Sequence, residues 1–365
     1  GELREAAALV PGQPAVESAL TIALEALGHR RLADGDFAGA EAALAQALSR
    51  DAARAESWTA LGYAQLRQRR PADAKLSLEE AVRLRPDDAQ ANLLLGYARH
   101  ETGDAAGALA ALRAGRPAAA DDPGYRALVA RLEREVEAEA GFHTAESAHF
   151  TVSFEGGGTS EQAGYLVSLL LEEAYHAVGR RLEYYPDEPV HAVLYPRERF
   201  RDVTRSPGWA GAIYDGKIRL PVGGLTDRTE ALRRAVAHEY THALVHRLAR
   251  GRAPVWLNEG LAQLGEGAGT AAARDRFLTH VRAGGPVASL RRLEGSFMGL
   301  GAAEAELAYL QALTATDFLV TQYGPAASRR ILDRLGAGAP LAAAIEEVLY
   351  VSYEEFERQW MARYR

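Results

Sequence analysis

The residues of this chain whose types and spacing most directly suggest chemistry are His238-Glu239-Tyr240-Thr241-His242. On a helix with 3.6 residues per turn, two histidines four apart project from one face and can reach a single metal ion. Glu239 lies about 100° round the helix from His238, where it can touch a metal-held water without being a ligand. Such a segment is the core of a zinc-dependent hydrolase, with two nitrogen donors and one carboxylate left to move protons. Glu259 follows His242 by seventeen positions, within Pro254-Val255-Trp256-Leu257-Asn258-Glu259-Gly260-Leu261-Ala262. Gly251 and Pro254 mark a reversal, so a second helix starting near Pro254 runs back against the first and presents Glu259 to the same metal. Two histidines and one glutamate leave a fourth coordination position open, as expected of a catalytic zinc.

The elements that must position these residues are legible around them. Residues 227–251 read as one buried helix, with Asp227 as N-cap, Glu230 at the third helical position and Gly251 at the left-handed C-terminal position. Residues 149–154 alternate like a half-buried strand, residues 190–195 read as a second strand closed by Pro196, and 161–182 between them have helical spacing. Strand, helix, strand is thus the expected opening of the domain, followed by a hairpin over 210–221 that turns at Asp215-Gly216. Downstream, helices are predicted at 271–282, 302–323, 326–335, 341–349 and 353–364, with flexible connections at Gly284-Gly285-Pro286 and over 295–301.

The paired motifs resemble those of gluzincin metallopeptidases, whose second helix carries a glutamate ligand in an Asn-Glu-Gly or similar context. Trp256-Leu257-Asn258-Glu259-Gly260 is close to the aminopeptidase branch, while the shorter spacing between the motifs resembles the compact bacterial peptidase MA-like domains often fused to helical repeats. The resemblance implies one Zn2+ per chain held by His238, His242 and Glu259, with Glu239 as general base: it takes a proton as zinc-bound water attacks a peptide carbonyl and returns it to the leaving amine. It also implies a tyrosine on a later helix as hydrogen-bond donor to the developing oxyanion; Tyr309 is the first candidate and Tyr214 the second, each of them also readable as a packing aromatic. The same resemblance makes residues 218–222 an exposed edge strand to which an extended substrate adds, Pro221 being suited to an edge, and gives the downstream helices the other wall of the cleft. Gly211-Ala212-Ile213-Tyr214-Asp215 lacks the glutamate of the aminopeptidases' amine-recognition motif, which tilts the expectation toward an endopeptidase.

Other polar residues read as supporting ones. His246 lies about 12 Å along the helix axis from His238, too far to share its metal. His143, His149, His176 and His191 are isolated and read as packed or surface histidines. Asn258 either orients substrate or ties the two helices together, and Gln263 shares the helical face of Glu259; spacing does not choose which side chain steadies the histidines.

The first third of the chain repeats itself every 34 residues: Leu27-Gly28, Leu61-Gly62 and Leu95-Gly96 recur in step with Ala40, Ala74 and Ala108 and with Leu44, Leu78 and Leu112. These positions resemble tetratricopeptide repeats, most fully at Trp58-Thr59-Ala60-Leu61-Gly62 and Pro86. Three helix pairs over residues 21–122 and a capping helix over 125–136 are predicted. The resemblance implies a curved solenoid whose concave face receives a protein or peptide partner; a solenoid that only braces the catalytic domain stays open beside it.

The expected fold is therefore mostly α with a small mixed α+β lobe. A tetratricopeptide (TPR) solenoid at 1–140 is followed by a zincin-like catalytic lobe at 141–270 and a helical C-terminal subdomain at 271–365 that completes the cleft. The 365 residues are 48% apolar and 25% charged with net charge −7, which excludes neither domain but argues against nucleic acid as a partner. No run of about 18 apolar residues reads as a membrane span. The absence of cysteine removes disulfides and thiolate metal sites. The chain begins with Gly1, so an exported or bacterial periplasmic location is the expectation if a signal was removed. The predicted function is zinc-dependent peptide hydrolysis with the repeats recruiting a polypeptide; the alternative is a repeat scaffold with a vestigial metal site that no longer turns over.

Overall fold

The computed structural model of the protein describes residues 13–115, 121–204, 213–222, 227–297 and 299–364. They divide into two compact units between Ala140 and Gly141. The expected class stands: helices dominate both units, and one small mixed sheet lies in the second.

The first unit contains α1 (Pro14–Ala33), α2 (Phe37–Leu48), α3 (Ala55–Arg67), α4 (Pro71–Leu84), α5 (Ala89–Glu101), α6 (Ala105–Ala114) and α7 (Pro123–Glu139). The 34-residue period has a steric origin. A Cβ on Gly28, Gly62 or Gly96 would stand 2.6, 2.4 or 2.5 Å from the Cγ of Leu44, Leu78 or Leu112 respectively. Each repeat therefore needs a bare backbone where its first helix meets a fully buried leucine of its second. Neighbouring repeats are joined by ion pairs, Arg70 to Glu41 at 2.7 Å and Arg99 to Glu79 at 2.9 Å, with Glu25 taking both Arg54 and the Ser57 hydroxyl. α7 closes the stack: Asp122 accepts from the Tyr125 amide at 2.7 Å, and the Tyr125 hydroxyl donates to the carbonyl of Leu112 at 2.9 Å. Gly62→Ala is expected to cost about 1–3 kcal/mol through this overpacking, more than the ~1 kcal/mol regained by removing a helical glycine. Chemical denaturation would show it, and an unchanged midpoint would contradict the steric reading of the period.

The second unit begins with β1 (Phe142–Glu146), β2 (Phe150–Glu155), α8 (Gly158–Leu182), β3 (Val190–Tyr195), α9 (Arg197–Thr204), β4 (Ile213–Tyr214) and β5 (Ile218–Pro221). The sheet order is β1-β2-β3-β5-β4, with β2, β3 and β5 parallel and the two outer strands antiparallel to their neighbours. Phe150, Val152 and Phe154 align with Val190, Ala192 and Leu194 and then with Ile218 and Leu220, giving one apolar face. α8 and α10 (Glu230–Ala249) pack on it: the Phe150 ring meets Tyr240 of α10 at 5.3 Å and Tyr175 of α8 at 6.4 Å. There follow α11 (Val255–Gly265), α12 (Ala271–Arg282), α13 (Ala302–Tyr323), α14 (Pro325–Gly336), α15 (Leu341–Leu349) and α16 (Tyr353–Ala362). Their apolar residues join those of the sheet in one core that runs from Phe150 to Tyr364.

Several expectations are corrected. The domain opens with β1, ahead of the predicted strand, and α9 follows β3; neither was anticipated. Residues 218–222 are not the sheet edge, because β4 pairs outside β5 through Ile213 with Arg219 and Tyr214 with Ile218. The hairpin itself is present, turning through Gly216 at φ 105°, while residues 210–212 lie outside the described ones. The cap of α10 is Thr229 instead of Asp227: its hydroxyl accepts from the Leu232 amide at 3.1 Å, so the helix starts later than predicted. At the other end Gly251 is left-handed as expected, at φ 66°, and the unanticipated feature is that Arg250 before it is left-handed too, at φ 49°.

One ionic anchor ties β2 to α8. Glu172 accepts from the Ser147 hydroxyl at 2.7 Å, the His149 amide at 3.0 Å and, at 2.7 Å, the His149 ring. Burial alone would raise this carboxyl, but the hydrogen bonds from His149 and Ser147 outweigh it and hold it below the ordinary carboxylate value. A carboxyl depressed by folding stabilises fully above its unfolded value and loses that contribution as pH falls through the folded one. Glu172→Gln is therefore expected to cost about 1–2 kcal/mol at neutral pH and progressively less in acid. Urea unfolding at both pH values would check it, and a loss that persists unchanged in acid would contradict the ionic account.

Candidate metal centre

α10 is buried on most sides, as a helix carrying Val236, Tyr240, Ala243 and Leu244 in the core should be. α11 lies against it on one side and against α13 on the other because two of its positions have no side chain. A Cβ at Gly265 would stand 2.1 Å from Thr241 Oγ1 of α10, and one at Gly260 would stand 2.1 Å from Thr316 Oγ1 and 2.4 Å from the Ala312 carbonyl of α13. The start of α11 is fixed as well. The Val255 and Trp256 amides donate to the carbonyls of Glu294 and Leu293 at 3.0 and 3.1 Å, and the Trp256 indole donates to Tyr353 of α16 at 3.0 Å.

This packing brings together His238, His242 and Glu259. Their donor atoms all lie within 4.8 Å of one another, and Glu259 Oε2 stands 3.7 Å from Nε2 of each histidine. Tetrahedral zinc with bonds of about 2.0–2.1 Å needs donors about 3.4 Å apart, so the donor set suits that ion with Glu259 already near that distance from each histidine and a small closure of the cluster on binding. Each imidazole is held from behind: His242 Nδ1 donates to Asn258 Oδ1 and His238 Nδ1 to Glu266 Oε1, both at 2.9 Å. Both Nε2 atoms are thereby left turned toward Glu259.

The electrostatics of the cluster favour a cation. Burial opposes a charge on His238, yet its hydrogen bonds to Glu259 and Glu266, with the nearby charge of Glu239, carry its pKa up to about 10. Burial likewise works to raise Glu259, but the His238 hydrogen bond and the charges of His242 and His238 outweigh it and hold that carboxyl low. Glu239 behaves oppositely. It is 6% exposed, its Oε2 is buried with no hydrogen-bond partner among the described residues, and burial pushes its carboxyl above the ordinary range. A buried, unpartnered carboxylate oxygen is costly, and this one stands near the charges of His242 and His238.

Residues 186–364 match the Peptidase MA superfamily, and residues 25–75 and 65–132 match tetratricopeptide repeats. The chain carries a Peptidase MA domain behind tetratricopeptide repeats. Membership points to a peptidase and the repeats to protein–protein interaction. No curated protein matches the chain. Among solved structures, the crystal structure of PcrH in complex with the chaperone binding region of PopD is 23% identical, covering 32% of this chain and 86% of that one at a TM-score of 0.26. That likeness is too slight to build on.

Within the Peptidase MA domain, Tyr309 of α13 comes near the cluster. Burial, followed by the charges of Glu259 and Glu239, pushes its hydroxyl up to about 12, so it remains a protonated donor at neutral pH. Gln263 fixes the local backbone, donating to the carbonyls of Tyr309 and Glu259 at 3.0 and 3.3 Å. Tyr214 instead packs edge-on against His246 at 5.5 Å. Sequence reasoning weighed Asn258 without assigning it to His242, and it missed Glu266. The available signal was the spacing: seven residues after Glu259 on a helix return to nearly the same face. No helix among the described residues is long and apolar enough to cross a membrane.

Proposed function

We propose that this protein is a zinc-dependent metallopeptidase, an endopeptidase whose repeat unit recruits or positions its polypeptide. The observation that carries the proposal is the convergence of His238, His242 and Glu259 at zinc-compatible spacing beside the unpartnered carboxylate oxygen of Glu239. His238, His242 and Glu259 would hold a zinc ion, which would supply Lewis-acid polarisation of the scissile carbonyl and acidify the attacking water. Glu239 accepts that water's proton, for which its raised carboxyl is suited, and hands it to the leaving amine nitrogen. Tyr309 donates its hydroxyl hydrogen to the carbonyl oxygen as negative charge gathers there. Asn258 and Glu266 keep both imidazoles oriented during the cycle.

The test is zinc content of the purified chain followed by cleavage of an unfolded polypeptide, with product termini mapped. One zinc per chain and internal cuts are expected. Stoichiometric zinc with no cleavage of any polypeptide would favour a repeat scaffold with a vestigial site, and release of single terminal residues would replace endopeptidase with exopeptidase.

A further inference from the structure

We infer that Glu266, which lies outside both motifs, is the positioning residue that presents His238 to the metal, so that metal retention is set from the C-terminal end of α11. This rests on the zinc reading above and deepens it.

A carboxylate can only accept, so the 2.9 Å contact between Glu266 Oε1 and His238 Nδ1 places the ring proton on Nδ1. In the neutral imidazole that a metal requires, Nε2 is then the nitrogen with a lone pair, and it is the one 3.7 Å from Glu259. The two histidines are held by different chemistry. His242 leans on the neutral amide of Asn258, next to Glu259 in sequence, whereas His238 leans on a carboxylate two turns further on. A charged acceptor makes the imidazole opposite it a stronger donor to metal.

Glu266 is itself held in place. Its amide donates to the Ala262 carbonyl at 3.2 Å, and its carbonyl accepts from Arg233 Nη2 at 2.9 Å. Arg233 is anchored in turn by Glu230 on the first turn of α10, at 2.6 and 2.8 Å. The start of α10 thus clasps the end of α11, and Gly267, at φ 74°, turns the chain away beyond it. Gln263 is nearer to Glu259 in sequence, but its amide is engaged with the two backbone carbonyls. The Glu266 side chain is 26% exposed, so its removal opens no core cavity.

The experiment is zinc affinity of the full chain by competition with a chromophoric chelator, for wild type, Glu266→Gln and Glu266→Ala, alongside thermal unfolding of the metal-free forms. Glu266→Ala is expected to weaken zinc about 10–100-fold. Glu266→Gln keeps an acceptor oxygen and is expected to lose about tenfold or less, at the low end of that range. All three metal-free melting temperatures should agree. Wild-type zinc affinity in Glu266→Ala overturns this inference alone. Equal zinc loss in both variants with a matching fall in metal-free melting overturns it in favour of a structural role. A wild type that takes up no zinc overturns the metal reading and this inference together.

Discussion

Glu239→Gln is expected to retain zinc and to hydrolyse peptides about 10²–10⁴-fold more slowly than wild type, the range contributed by a positioned proton-transfer group. Glutamine keeps the shape of the side chain but cannot accept the proton of the attacking water. Because Glu239 is no part of the His238, His242 and Glu259 cluster, metal content should not change. The substitution also removes a buried carboxyl whose Oε2 has no partner, so the variant should unfold at a temperature no lower than wild type. Activity, zinc content and melting temperature are to be measured on one preparation. Loss of activity accompanied by loss of zinc would assign Glu239 to the metal's hold and remove it from proton transfer.

Glu259→Ala is expected to release the metal while leaving the fold in place. It removes one of three donors, so zinc affinity should fall by more than the 10–100-fold typical of an outer hydrogen-bond partner. Alanine is favourable in a helix, and α11 keeps its contacts through Gly260, Gly265 and the Trp256 to Tyr353 hydrogen bond. Equilibrium dialysis against buffered zinc gives the affinity, and circular dichroism gives the fold. Zinc held as tightly as by wild type would remove Glu259 from the ligand set, whatever its effect on turnover.

The helices were largely legible because their signals are local. The repeats declare themselves through Gly28, Gly62 and Gly96, each fixed by a leucine sixteen residues later. The two helices that carry His238, His242 and Glu259 declare themselves through a histidine pair and a reversal at Gly251 and Pro254. What escaped was set by neighbours distant in sequence. β1 has no alternating face, since its burial runs intermediate, exposed, exposed, intermediate, exposed, and it exists by pairing with β2. Two-residue β4 is too short to carry a period, yet it removes β5 from the sheet edge. Asp227 and Thr229 are both good caps, and which one serves depends on where the helix meets the core. Glu266 sits just past the last turn of α11, where a charged residue reads as solvated surface; only the approach of α10 gives it a histidine to hold.

Gly260 and Gly265 give the candidate metal centre a genetic signature of its own, which is clearest at Gly265. They flank the glutamate and the turn that carries Glu266, and each lets α11 touch a different neighbour, α13 on one side and α10 on the other. A single methyl at Gly265, where the nearest obstacle is the Thr241 side chain, would not need to unfold the domain to be felt if relieving the clash slides Glu259 and Glu266 relative to the imidazoles. Such an allele would look like the loss of a cofactor in folded, abundant protein, and compensating changes should arise at Thr241, a residue outside the His238, His242 and Glu259 cluster.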